Sequence, residues 1–377
     1  MFQGGVGSKR TKNKKDPKDE KGINRHRNLE VNGMLSCSVL LSTSLLFVRA
    51  APSPAYTLKV AEKERIEAVL TYKIEMPKLV AQEWIVYVAQ APELSGQVQV
   101  HTRLEPDGKA SFELSPEHRP MMLARLPAKG REKEITLHVK YQATLRSRDL
   151  VPVKTGKTPP TVAPLADPIR QILVETRGDF DWKAEPVQKW VREHQLGRRP
   201  GESDVDFARR VFVAIKRNFS YEYKTEMDRH ASAVCRSGKT DCGGLSALLV
   251  TILRGYDIPA RTLIGRWAQS SKAEDTVGNS PYYQTHVKAE FYAEGIGWVP
   301  ADLASALYDK KGDGLSCFGH DPGDFLTQHV DAHLRLDSIH FGRQDIEFLQ
   351  GPAYWVTGRG NTEPTNTHEK WEVRKLP

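Results

Sequence analysis

After a long β-patterned stretch the hydrophobic period of this chain turns helical, and that change limits what the chain can fold into. From Tyr56 to about Val151, apolar residues alternate or form β-branched runs: RIEAVLTYKIEM, EWIVYVAQ, GQVQVHTRLE, ASFELS and KEITLHVKYQATL. Pro, Gly and charged turns separate these runs. The pattern predicts an all-β, sandwich-like domain over 56–151. The stretch VPVKTGKTPPTVAPLADP has no core pattern and reads as a linker over 152–167. Beyond it the spacing turns helical. DPIRQILVETRG begins with Asp167 as the expected N-cap and Pro168 at the first helical position. SDVDFARRVFVAIKRNF opens on a capping-box-like pair, Ser203 and Asp206, and sets Val205, Phe207, Ala208, Val211, Phe212 and Ile215 on one face. The strand patterns ARTLIGRW, YQTHVKAEFY and GWVPADL follow. Helices before strands predict an α+β domain over 168–377.

The formal net charge of +8 is concentrated at the start of the chain. Residues 1–33 hold nine Lys/Arg and four Asp/Glu, and Arg49 adds one more cation, so only +2 falls beyond Ala50. The first 33 residues read as a disordered basic extension. The body is nearly neutral, which argues against a nucleic-acid partner. MLSCSVLLSTSLLFVRAAPSPA is short for a membrane span and ends in small residues, the layout of a signal peptide over 34–51. Export to the periplasm or the medium is therefore expected, with no stable membrane insertion once the signal is removed. Cys37 leaves with that signal. Of Cys235, Cys242 and Cys317, the expected arrangement is a Cys235–Cys317 disulfide with Cys242 free, three reduced thiols being the alternative.

Cys242 stands in DCGGLSALLVTILRGYDIPARTLIGRW. Leu245, Leu248, Leu249, Ile252 and Leu253 recur on one face of a buried helix, with Thr240 or Asp241 as its cap and Gly255 as its C′ residue. Cys242 then lies in the first turn, where free backbone N–H groups favour a negative charge. Gly243 and Gly244 read as room for a substrate backbone to approach. A thiol nucleophile needs a base and a group that orients the base. THVKAEFY and GWVPADL form an expected hairpin across Ala293-Glu294-Gly295, with Lys288 opposite Pro300 and His286 opposite Asp302. Alternation keeps His286 and Asp302 on one side of the sheet.

DCGGLSALLVTILRGYDIPARTLIG followed by THVKAEFYAEGIGWVPADLA resembles the core of the transglutaminase-like superfamily, a papain-related fold. The order of Cys on a helix, then His and Asp on successive strands, is that family's. The likeness runs from about Ser203 to Leu336. Bacterial members often carry a β domain in front. The resemblance implies Cys242 as nucleophile, His286 as general base and acid, and Asp302 as the residue orienting the imidazole. It implies cysteine-dependent acyl transfer on peptide or amide bonds of a protein or peptide substrate, through a thioester resolved by water or an amine, with no cofactor. The alternative is a catalytically silent binding module that keeps the fold. One oxyanion donor is the backbone N–H of Cys242; Tyr221, Tyr223 or Trp267 is expected to supply a second.

Three weaker patterns accompany these. HVDAH sets His329 and His333 one helical turn apart with His320 and His340 nearby, a zinc-like spacing that lacks further ligands. Packing or surface histidines are the favoured reading. DKKGDG reads as a turn, not a calcium loop. The glycosylation pattern at Asn218 falls beside a predicted helix.

Overall fold

The computed structural model describes residues 55–377 except 155, 157–159, 161, 310 and 311, together with the backbone strand Phe2–Gly4. Apart from that strand, the basic extension and the signal segment lie outside the described residues. Six strands come first: β1 (Tyr56–Glu75), β2 (Leu79–Ala89), β3 (Gln97–Glu105), β4 (Lys109–Phe112), β5 (Pro120–Pro127) and β6 (Glu134–Pro152). Then come α1 (Asp167–Val174), α2 (Glu185–Glu193), α3 (Asp204–Asn218), α4 (Ala231–Ser237) and α5 (Cys242–Gly255). β7 (Ala260–Trp267), β8 (Thr285–Ala293), β9 (Gly297–Ala301), α6 (Leu303–Tyr308), β10 (Phe325–Val330), β11 (Ala353–Gly360) and β12 (Asn366–Lys375) complete the order. Shorter pieces are named by residue.

Period-2 alternation builds the sandwich. In β1, Ile66, Ala68, Leu70, Tyr72 and Ile74 are buried while their neighbours are not. They meet Trp84 and Val86 of β2 and Leu137, Val139 and Tyr141 of β6 in one core. One sheet runs Phe2–Gly4, β11, β2, β5, β4; the other pairs β6 with β1 and β1 with β12, and β3 joins β6. β11 and β12 thus come from the far end of the chain, from residues assigned by pattern to the second domain. β12 gave little signal because only Trp371 of its ten residues is buried. β5, α2 and α4 were also not anticipated.

The second layer follows the helical spacing. Ser203 caps α3 by accepting the Asp206 N–H at 3.1 Å, and the six apolar positions expected on its inner face are the six that are buried. α1 begins one residue earlier than expected, with Ala166 at the cap and Pro168 second. α5 is buried from Gly243 to Arg254 and packs across a four-stranded antiparallel sheet of order β9-β8-β7-β10. Gly255 is the last helical residue, not the residue beyond it. A Cβ there would lie 2.2 Å from Trp182 Cδ2, so the glycine admits an indole.

The sandwich backs directly onto this sheet. The Gln97 amide of β3 donates to Thr327 O at 2.9 Å and accepts Thr327 N–H at 2.8 Å, acting as a surrogate strand for β10. Arg148 of β6, 1% exposed, pairs with Glu290 of β8 and with Asp321, the latter at 2.7 Å. Among the described residues no helix is long and apolar enough to cross a membrane.

Candidate active site

Cys242 is the first residue of α5 and is half-buried. Asp241 caps the helix by accepting Gly244 N–H at 3.1 Å. Among the described residues no acceptor takes the N–H groups of Cys242 and Gly243, which therefore face the thiol's surroundings. The Asp241 carboxylate is itself gripped by Arg229, which donates from Nε at 2.9 Å and from Nη2 at 2.6 Å. Arg229 is 12 residues away and reaches the cap only through the fold, so no local sequence pattern marked it. The glycine pair has a packing cause instead of the expected room for substrate. A Cβ on Gly244 would stand 2.0 Å from Thr240 Oγ1, and one on Gly243 would stand 2.8 Å from Arg229 Cδ and 2.9 Å from Phe348 Cζ.

The β8–β9 hairpin holds the other two candidates, with the predicted parity but a different register. Glu290 pairs with Pro300 and Ala293 with Gly297, so the turn is Glu294-Gly295-Ile296. Gly295 and Gly297 adopt left-handed backbone, φ +73° and +102°, which places the turn one residue later than expected. Continuing the register sets Asp302 at the level of Lys288, two residues from His286 on the same face. Asp302 closes the gap because it has left the strand and caps α6, accepting Ser305 N–H at 2.9 Å and Ser305 Oγ–H at 2.8 Å. Its Oδ2 lies 2.9 Å from His286 Nε2. The other ring nitrogen, Nδ1, is not engaged by Asp302, and Cys242 lies close enough to the imidazole to favour its charged form.

His286 and Asp302 are each 7% exposed. Burial opposes a charge on the ring, but the Asp302 carboxylate outweighs it and, with the Cys242 contact, raises His286 to about 9. Burial likewise opposes ionisation of Asp302, and the His286 charge overcomes it, holding the carboxyl well below its usual range. The imidazole is further fixed by Trp267, stacked on it at 4.5 Å and 20°, and by the edge of Phe325 at 6.0 Å. Lys288, buried beside them, lies over the faces of Trp267 and Phe325 at 4.5 and 4.9 Å.

Tyr221 is carried to the thiol by a two-residue parallel pairing, Ser220–Tyr221 against Lys239–Thr240. Its phenol lies beside Cys242. Burial first, then the charges of Cys242 and Asp241, push its pKa up, so the hydroxyl keeps its proton. Of the three side chains expected as oxyanion donors, Tyr221 touches the thiol and Trp267 touches the base. Tyr223 contacts none of the three candidates.

The remaining expectations resolve as follows. Cys235, Cys242 and Cys317 are all unbonded, so the expected Cys235–Cys317 disulfide is absent. Cys235 sits on α4 against the helical core, and burial pushes its thiol up to about 12. Cys317 lies in the short turn Leu315–Cys317, where its carbonyl accepts Asp302 N–H. The four histidines do not converge, because HVDAH is strand and turn instead of helix. His329 is buried, accepting Leu349 N–H on Nε2; His333 lies between Asp179 and Asp345; His320 meets Asp149; His340 meets Glu83. Among the described residues no group of three His, Cys, Asp or Glu side chains is placed to hold a metal. Around Asp309 the chain turns, Asp309 Oδ1 accepting Gly312 N–H at 3.1 Å, and the Asn218 amide donates to Ala214 O.

Residues 194–303 match the model of the transglutaminase-like superfamily. A solved structure of a candidate cysteine protease from Cytophaga hutchinsonii is similar at 14% identity, covering 85% of this chain and 93% of its own, with a TM-score of 0.44. The periplasmic domain of TgpA from Pseudomonas aeruginosa is similar at 12% identity over 62% of this chain and 87% of its own, with a TM-score of 0.30. Both scores are low, so the family match supports the assignment and these structures add no argument. No curated protein matches the sequence.

Proposed function

Starting from residues 194–303 as a transglutaminase-like core, we propose that this chain is a cysteine-dependent acyl-transfer enzyme acting on peptide or amide bonds of an exported protein's substrates, with water as the default acceptor. The observation that carries the reading is the convergence of Cys242, His286 and Asp302: the ring bonded to the carboxylate at 2.9 Å, with the thiol close enough to favour the ring's charged form. Cys242 gives its proton to Nδ1 of His286, and the sulfur adds to the substrate carbonyl carbon. The oxygen that gains the negative charge meets the N–H groups of Cys242 and Gly243 and the Tyr221 hydroxyl. On collapse the C–N bond breaks, and His286 hands its proton to the leaving amine. The thioester is then cleaved by water, or by an amine, deprotonated by the same ring. Asp302 holds the imidazole's orientation and balances its charge.

Incubation with a peptide library plus a labelled primary amine, read by mass spectrometry, tests this. Cleavage or deamidation without label marks hydrolysis, and incorporated label marks transfer. A protein that leaves the whole library unchanged contradicts the proposal.

The pH dependence follows from His286. Because the leaving amine needs the ring's proton, activity falls as pH rises through about 9, the value to which Asp302 lifts the ring. Asp302→Asn removes the main stabiliser of the imidazolium and moves this basic limb down toward about 6.5. Stability shifts in the same sense. The folded ring binds its proton more tightly than the unfolded one, so its contribution is full below about 6.5 and is lost by about 9. A pH profile of kcat/KM on wild type and variant checks both positions. An unmoved basic limb contradicts the pairing.

A further inference from the structure

A cavity of about 360 Å³ lies beside the candidate catalytic groups, lined by Trp267, Ala268, Gln269, Tyr282, Gln284 and Asp324. Two of its walls also belong to the site. Trp267 stacks on His286, and Tyr282 lies close enough to Cys242 for the sulfur's charge to act on its phenol. A group bound in this cavity therefore sits within one side chain's reach of the bond under attack.

Its lining is selective in charge. Asp324 is the one acidic or basic side chain among these six lining residues, and it is 54% exposed. Among the described residues its ion-pair partner is the buried Lys288, whose ammonium lies 3.5 Å from Asp324 Oδ1 and 3.5 Å from Asp321 Oδ1. One ammonium divided between two carboxylates at that range leaves Asp324 Oδ2 open. The Gln284 amide donates its N–H to Asp275 at 2.8 Å, which leaves its carbonyl as an acceptor, and Gln269 is exposed with no bond of its own. Trp267 is already covered by His286 and Lys288, so one carboxylate, amide acceptors and the Tyr282 ring remain, the chemistry that recognises an ammonium or guanidinium group.

Resting on the proposed reaction, we infer that this cavity is a specificity subsite for a basic side chain, arginine or lysine, of the peptide whose carbonyl Cys242 attacks. Guanidinium cannot serve as the incoming amine, so arginine peptides assign the subsite to the acyl donor and not to the acceptor.

The test compares kcat/KM for peptides differing only in Arg, norleucine or Glu at each position around the cleaved bond. Wild type is expected to prefer Arg over norleucine at one position by about tenfold and to disfavour Glu there. Asp324→Asn should bring the Arg-to-norleucine ratio near one. Gln269→Glu, which adds a carboxylate without touching Lys288, should raise it about threefold. Turnover with no preference for Arg, or a preference that neither variant moves, overturns the subsite and leaves the reaction standing. Labelled-amine incorporation that Asp324→Asn weakens, without any arginine preference in cleavage, overturns its assignment to the acyl donor. If no peptide turns over, the reaction is what fails. Binding of acetyl-arginine amide against acetyl-norleucine amide to Cys242→Ala protein, followed by ligand-observed NMR, then decides the cavity's preference: tighter arginine binding that Asp324→Asn abolishes upholds it, and equal binding overturns it.

Discussion

Replacing Cys242 by alanine is expected to lower turnover of every peptide the wild-type protein processes by about 10⁴-fold or more, to background. The size follows from how the site is wired. His286 is committed to Asp302 through Nε2, and without the thiol no thioester forms for the water or amine it deprotonates to attack. Neighbouring hydroxyls do not substitute: Ser305 is tied to Asp302, and Tyr221 holds its proton because burial and the nearby charges oppose its loss. Folding should survive the change, since Cys242 is half-buried and the cap, Asp241, is untouched. Circular dichroism and the urea midpoint of the variant should match wild type. Residual activity above about 1% of wild type contradicts the nucleophile assignment.

Arg148→Met should give the largest loss of stability, about 3–5 kcal/mol by urea denaturation. Methionine keeps most of the volume, so the effect is electrostatic and not a cavity. Arg148 lies between Glu290 of β8 and Asp321, and its guanidinium, like the Gln97 amide, reaches from the sandwich to the candidate catalytic sheet. Without it Glu290 keeps Arg261 at 2.6 Å, and Asp321 keeps the Gly323 N–H at 3.1 Å and, as its cation, Lys288 at 3.5 Å. Both carboxyls are buried and normally held ionised below their usual range, first against burial and then by these cations. In the variant they take up protons more readily, so the penalty should shrink on acidification. A second change, Glu290→Gln, should recover part of the loss. A penalty under about 1 kcal/mol contradicts the role given to this network.

Much of the candidate site was legible in the sequence for reasons that can be named. An apolar helix beginning in Cys-Gly-Gly identified α5 and put the thiol in its first turn. Strand alternation put His286 and Asp302 on one face, and that survived a two-residue error in register because a shift of two preserves the face. The error came from the turn: Gly295 and Gly297 both take positive φ, and the sequence offered Ala293-Glu294-Gly295 as an equally plausible turn. What stayed hidden depends on contacts between distant residues. Arg229 reaches Asp241 and Tyr221 comes beside Cys242 only once the chain is folded, and Lys288 covers Trp267 across neighbouring strands of one sheet. The glycine pair was misread because the atoms that exclude a Cβ, Thr240 Oγ1 and the Arg229 side chain, have no local signature. β12 was missed because its alternation carries a single buried residue, Trp371.

The most direct test of the central claim is the rate at which iodoacetamide alkylates Cys242 at neutral pH, compared between wild type and His286→Ala by mass spectrometry. The predicted result is fast, site-selective modification that slows at least about tenfold when the ring is removed, because the proton then has no acceptor. Equal rates in the two proteins, no faster than at Cys317, would contradict it.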